Sequence, residues 1–252
     1  MIRRPQAILA GPGAAALALL LPGVAAAQSL SLDLGQAGGS TTGQIVQIFA
    51  LLTVLSLAPS ILIMVTSFVR IVVVLSFLRT AMGVQQTPPN TVMVSLALFL
   101  TFFVMAPILQ QSYTQGIVPL VNEEIEPMEA FDRAAEPVHR FMMRQVREAD
   151  LILFADMARL GPVAEPDDTP LHVLVPAFMI SELRRAFEIG FLLFLPFLII
   201  DMVVASILMS MGMMMLPPVM IAMPFKIIFF VLVDGWHLIA GTLVQSFGPI
   251  TG

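Results

Sequence analysis

Cysteine is absent from the 252 residues, which excludes disulfides, thiolate catalysis and cysteine-based metal sites. Charge is scarce. Asp, Glu, Lys and Arg together make up 12% of the chain, where a soluble domain carries about 25%. No run rich in Lys and Arg exists, and a net charge of −5 argues against nucleic acid as a partner. A Gly-rich phosphate loop, a nucleotide motif and a nucleophile with a base partner are all missing. His139, His172 and His237 fall in three separate regions without metal-ligand spacing. The acidic pairs Glu123–Glu124 and Asp167–Asp168 read as solvated loops. These absences point away from an enzyme, a metal protein or a cofactor carrier.

What is present is apolar: 58% of the residues are hydrophobic, and the mean hydropathy is +0.94. The sequence opens with Met1-Ile2-Arg3-Arg4, an apolar stretch over 7–24, and Ala25-Ala26-Ala27 before Gln28. That order of positive, apolar and small residues predicts a signal peptide over 1–27, cleaved between Ala27 and Gln28. An uncleaved signal anchor is the competing reading. Residues 28–43, rich in Gln, Ser, Gly and Thr, read as a flexible leader.

A membrane-crossing helix needs about 20 mostly apolar residues. Residues 45–69, interrupted by Pro59, and 92–109 supply a first pair, separated by Thr87-Pro88-Pro89-Asn90. Residues 189–209 and 227–247 supply a second pair, separated by Met211-Gly212-Met213-Met214-Met215-Leu216-Pro217-Pro218. The expected fold is all-α: a multi-helix membrane protein of Pro-broken helical hairpins, with pairs over 44–109 and 181–252. Residues 110–180 form a polar, mostly helical insert, with twelve acids against five arginines for a net −7. Within it, 129–160 shows helical periodicity, and Glu136–Arg140 and Arg144–Glu148 are spaced for ion pairs across one helical turn. A cleaved signal followed by four crossings puts the acidic insert and both termini outside the cytoplasm.

Charges within the apolar stretches mark candidate sites. Arg70 interrupts the first segment, Asp201 lies in the third, Lys226 starts the fourth and Asp234 lies within it. Such groups cost about 2.5–3.5 kcal/mol at the bilayer centre and face protein or water. Each acid is either a hydrogen-bond partner between helices or part of a pore or proton path. Met209, Met211, Met213, Met214 and Met215 cluster beside Gly212 and Pro217-Pro218, where an ordinary helix cannot continue. Flexible thioether side chains either fill packing gaps there or form a compliant seal at a constriction.

Two long stretches carry a family resemblance. Pro176-Ala177-Phe178-Met179-Ile180-Ser181-Glu182-Leu183-Arg184-Arg185-Ala186-Phe187-Glu188-Ile189-Gly190-Phe191 resembles one signature of the FliP family of flagellar biosynthesis proteins. Pro224-Phe225-Lys226 followed by an apolar run and Asp234-Gly235-Trp236 resembles a second. Thr66-Ser67-Phe68-Val69-Arg70-Ile71, Arg144-Gln145-Val146-Arg147-Glu148-Ala149-Asp150 and Pro196-Phe197-Leu198-Ile199-Ile200-Asp201 are also similar to the family's pattern. The resemblance covers about 44–248. It implies a pore-forming subunit of the type III protein export apparatus in the flagellar basal body at the bacterial inner membrane. It further implies a homo-oligomer, a pentamer, joined by FliQ-like and FliR-like subunits and other export-apparatus membrane proteins, with unfolded substrates in transit. On this resemblance Met211, Met213, Met214 and Met215 form the gasket. Arg70, Glu182, Arg185, Asp201, Lys226 and Asp234 are expected in buried or inter-helix polar contacts. The equivalent subunit of a virulence injectisome is the nearest alternative, and a small-solute channel a more distant one.

Overall fold

A computed structural model describes residues 41–84, 87–160, 169–213 and 216–248. The signal peptide with Ala27 and Gln28, nearly all of the leader, the acids at 165–168, and Met214 and Met215 lie outside the described residues. Every regular element among the described residues is helical.

The chain divides into two compact units, residues 1–53 and 54–252. The first contributes the start of α1 (Thr41–Met64), whose Ile45, Val46, Phe49 and Leu52 are exposed. The second holds α2 (Phe68–Ala81), α3 (Asn90–Ser112), a π-helical turn (Tyr113–Ile117) and α4 (Val118–Val121). It continues with α5 (Pro127–Gln145), α6 (Glu148–Met157), α7 (Leu171–Ser210), α8 (Pro218–Leu232) and α9 (Gly235–Gln245).

The core of the second unit follows from helical spacing. Along α2 the buried positions are Val69, Arg70, Ile71, Val74, Leu75, Leu78 and Ala81, one face of a 3.6-residue repeat. That face packs on α7 and α3, with Ile71, Val74 and Leu75 meeting Met105 of α3, Phe178 of α7 and Leu243 of α9 in one cluster. Leu78, Ala81 and Met82 form a second cluster with Phe197 and Phe230. Burying each such side chain contributes about 1.5–3 kcal/mol. The outer faces of these helices stay apolar: Phe99, Phe102, Phe191, Leu192, Val231 and Leu232 are all exposed. Among the described residues, two continuous helical stretches are long and apolar enough to cross a membrane, Asn90–Val121 and Leu171–Ser210. Two bent pairs, Ile48–Met64 with Phe68–Ala81 and Pro218–Leu232 with Gly235–Gln245, bring the count to as many as four.

The breaks fall elsewhere than the prolines suggest. Helices run unbroken through Pro59, Pro107, Pro137, Pro176, Pro196 and Pro224. A proline deletes one donor and crowds one carbonyl, a loss a packed helix tolerates where neighbouring groups satisfy the freed carbonyl. The third segment is accordingly a 40-residue helix starting at Leu171 rather than near 189. The helix expected over 129–160 is instead two, parted at Val146 and Arg147, both extended. The expected Arg144–Glu148 turn pair straddles that break and does not form. Glu136–Arg140, within α5, closes to 3.6 Å. The fourth segment bends by 65° between Leu232 and Gly235, with Asp234 in the left-handed region at φ 49°.

Close approaches depend on two glycines. A Cβ on Gly116, in the π-turn, would stand 2.6 Å from both the Ala130 carbonyl and the Ala134 Cβ of α5. A Cβ on Gly235 would sit 2.2 Å from the Phe230 ring, which also packs edge-on to Trp236 at 5.4 Å between centroids.

Candidate functional site

Arg70 is fully buried on α2, and all five of its N–H donors are used. Nε donates to Glu182 Oε2 at 2.9 Å, and Nη2 donates to Glu182 Oε1. Nη1 donates to the Ser246 carbonyl at 2.9 Å and to its hydroxyl at 3.1 Å. The remaining Nη2 hydrogen reaches Gln145 Oε1 at 3.0 Å, and Gln145 Nε2 donates onward to the Phe247 carbonyl at 3.1 Å. The guanidinium plane lies 3.9 Å from the Phe247 ring centroid. A two-pronged Arg–carboxylate pair fixes orientation as well as charge, so this knot ties α2, α5, α7 and the end of α9 in one register.

Next to it, Ser181 holds the α5–α6 break. Its Oγ accepts from the Arg147 backbone N–H at 3.0 Å, replacing the helical bond lost there, and lies 2.7 Å from Asp150 Oδ2. Glu148 and Asp150 in the first turn of α6 complement the positive end of its dipole.

Lys226 of α8 makes the second buried ionic contact. Its Nζ donates to Asp201 Oδ2 at 2.6 Å and to the Ala81 carbonyl at 3.0 Å. One ammonium therefore neutralises an acid on α7 and caps the carboxyl end of α2, where a carbonyl would lack a partner. Asp201 Oδ1 is buried with no hydrogen-bond partner among the described residues. The acid beside Lys226 is thus Asp201, not Asp234.

Asp234 and Arg185, by contrast, are exposed on this chain. Asp234 is exposed at the α8–α9 bend, because the helix that would have carried it inward ends at Leu232. Arg185 is exposed on α7, one helical turn from Glu182 on the same helix. Gln145, Ser181, Ser246 and Phe247 are contributors that sequence reasoning did not single out. All are uncharged, and nothing in their spacing marks them; the odd charge at Arg70 was the one clue to search for its partners.

The methionine cluster begins where α7 stops. Gly212 takes φ +74°, its N–H donates to the Met209 carbonyl at 3.1 Å, and the Met213 N–H reaches the Leu208 carbonyl at 3.0 Å. This paired closure ends a helix with glycine in the left-handed position. Met209, Met211 and Met213 are exposed on it.

Bent apolar hairpins, internally paired charges and an exposed methionine turn define an all-α membrane protein rather than a water-soluble bundle. Among the described residues no group of three or more His, Cys, Asp or Glu side chains is placed to hold a metal ion. The model of the FliP family matches residues 51–243. The flagellar biosynthetic protein FliP of Caulobacter vibrioides is 60% identical over 235 residues, covering 93% of this chain and 88% of the relative. Its namesake in Agrobacterium fabrum is 53% identical over 92% of this chain and 96% of the relative. That of Bacillus subtilis is 56% identical over 80% and 91%. The chain belongs to the FliP family of flagellar biosynthesis proteins.

Proposed function

We propose that this chain is a pore-forming subunit of the flagellar type III export apparatus, of which its family is a component. Copies assemble as a homo-oligomer with FliQ-like and FliR-like membrane subunits in the bacterial inner membrane. Unfolded flagellar subunits pass through the pore they enclose, and the acidic insert and both termini lie outside the cytoplasm. No reaction is catalysed by the chain in this reading; its work is to hold a channel shut and to let it open.

The observation that carries this reading is α7. Its 40 residues extend about 60 Å at 1.5 Å per residue, twice the roughly 30 Å of bilayer hydrocarbon. In its most apolar 18-residue window only 11% is buried within the chain. Such a helix is too long for a simple crossing and too apolar for water, so neighbouring subunits are its natural cover. At its end stand the exposed thioethers of Met211 and Met213, which with Met214 and Met215 serve as the seal. Soft unbranched side chains close around varied shapes and part again without a fixed geometry.

Deleting Met213, Met214 and Met215 tests the assignment. The expected outcome is a complex of normal yield whose resting gate leaks small solutes, read as ion flux in intact cells. A gate that stays tight after the deletion refutes the seal. A deletion strain that remains fully motile would remove the flagellar assignment itself.

A further inference from the structure

Charge within the apolar helices is nearly all matched inside the chain. Arg70 is paired to Glu182, and Lys226 to Asp201. Arg184 and Glu188 pair at 3.0 Å across one turn of α7, and Arg79 at the end of α2 donates to the Asn90 side chain. Two groups of opposite sign are left over. Arg185 and Asp234 are exposed, and neither side chain makes a hydrogen bond or an ion pair among the described residues. Asp234 stands at the N-cap of α9 but caps no backbone N–H, so the start of that helix does not account for it.

Both charges lie on apolar ground. Leu192 and Ile199, seven and fourteen residues beyond Arg185, continue its face of α7 and are exposed. Val231 and Leu232, just before Asp234, are exposed as well. Neither charge is near an end of the long helix. α8 runs antiparallel to α7, with Lys226 beside Asp201 and Phe230 beside Phe197. Continuing that register places Asp234 near the level of residue 193, about 12 Å along α7 from Arg185 at 1.5 Å per residue. Both levels fall in the middle third of α7, Leu171–Ser210. A charge in such surroundings takes protein or water against it. A cation in one apolar patch and an anion in another are complementary in both charge and hydrophobicity. They stand on different elements, so each copy offers both halves of one contact, and the meeting is head-to-tail.

We propose that adjacent copies of this chain pair through these two charges, with the α8–α9 elbow of one copy laid on α7 of the next and Asp234 bound to Arg185. Neighbouring copies are then staggered along the helix axis, since the two levels differ within one chain. This rests on the oligomeric reading above and names the contact that serves it.

The test exploits the chain's lack of cysteine. Arg185→Cys on one tagged full chain and Asp234→Cys on a second, differently tagged one are coexpressed with the export-apparatus partners. The membranes are treated with a short bismaleimide. The expected product is a two-chain species carrying both tags, formed only when the two variants are present together. Its absence, or an equal yield from either variant alone, overturns the contact. Asp234→Asn, a residue that tolerates the left-handed backbone, and Arg185→Gln test the charges directly. Each is expected to lower the assembled fraction on native electrophoresis about tenfold, the scale of losing a close interfacial charge pair. Unchanged assembly in both overturns the pairing. Wild-type chains running as single copies would overturn the oligomeric reading as well, whereas an assembled complex without the cross-link overturns this contact alone.

Discussion

Replacing Arg70 tests whether the buried knot holds four elements in register. Arg70→Met removes the guanidinium and leaves the Glu182 carboxylate, the Gln145 carbonyl and the Ser246 carbonyl facing an apolar side chain. Stripping one partner from a buried pair costs about 3–5 kcal/mol, because the stranded carboxylate keeps its desolvation penalty without the compensating charge. At about 2–4 °C per kcal/mol for a chain of this size, the apparent Tm should fall by roughly 6–20 °C. Arg70→Lys keeps the charge but offers three donors where five are in use, and it should still lose about 2–3 kcal/mol. Glu182→Leu alone strands the arginine and should cost as much as Arg70→Met. The double change Arg70→Met with Glu182→Leu removes both charges, leaving Gln145 and Ser246 as the main unsatisfied groups. It should lie within about 2 kcal/mol of the wild type, several kcal/mol better than the sum of the single changes. The assay is thermal unfolding of the detergent-extracted chain at one fixed scan rate. Additive losses in the double variant would refute the coupling and with it the claim that this pair organises the core.

Two further changes probe how the helices are joined. Ser181→Ala strands the Arg147 N–H at the α5–α6 break; the loss should be about 1–3 kcal/mol, seen as faster amide hydrogen exchange over 147–151, and Ser181→Thr should retain much of the protection. Gly116→Ala should cost about 1–3 kcal/mol through overpacking, measured as a lower Tm, because the new Cβ meets the α5 backbone. A compensating Ala134→Gly should fail to recover it, since the Ala130 carbonyl remains 2.6 Å from the added atom.

Much of this molecule is readable from its letters, for identifiable reasons. The apolar run at 92–109 is long enough for helix formation to follow from composition alone, and Pro88-Pro89 does precede the start of α3 at Asn90. The places where helices bend were harder to see. The prolines at 59, 107, 137, 176, 196 and 224 interrupt no helix, while the breaks at Val146–Arg147 and Val233–Asp234 depend on what receives the chain: a serine hydroxyl from α7 in one case, a glycine against a phenylalanine ring in the other. Both are tertiary facts. Arg70, Asp201 and Lys226 stand out because charge is rare in such surroundings, yet their partners are separated from them by 25 to 176 residues, a distance over which periodicity carries no information. Asp234 looks like those three in sequence and differs in structure because its helix stops two residues earlier.

The elbow between α8 and α9 carries the chain's single tryptophan. Trp236 stands edge-on to Phe230 across the 65° bend, with Phe230 on one arm and the indole on the other. Emission excited at the red edge of the indole band therefore comes from one joint and from no other part of the polypeptide. Straightening that joint separates the two rings, so the molecule carries its own optical gauge of whether the hairpin is folded or sprung.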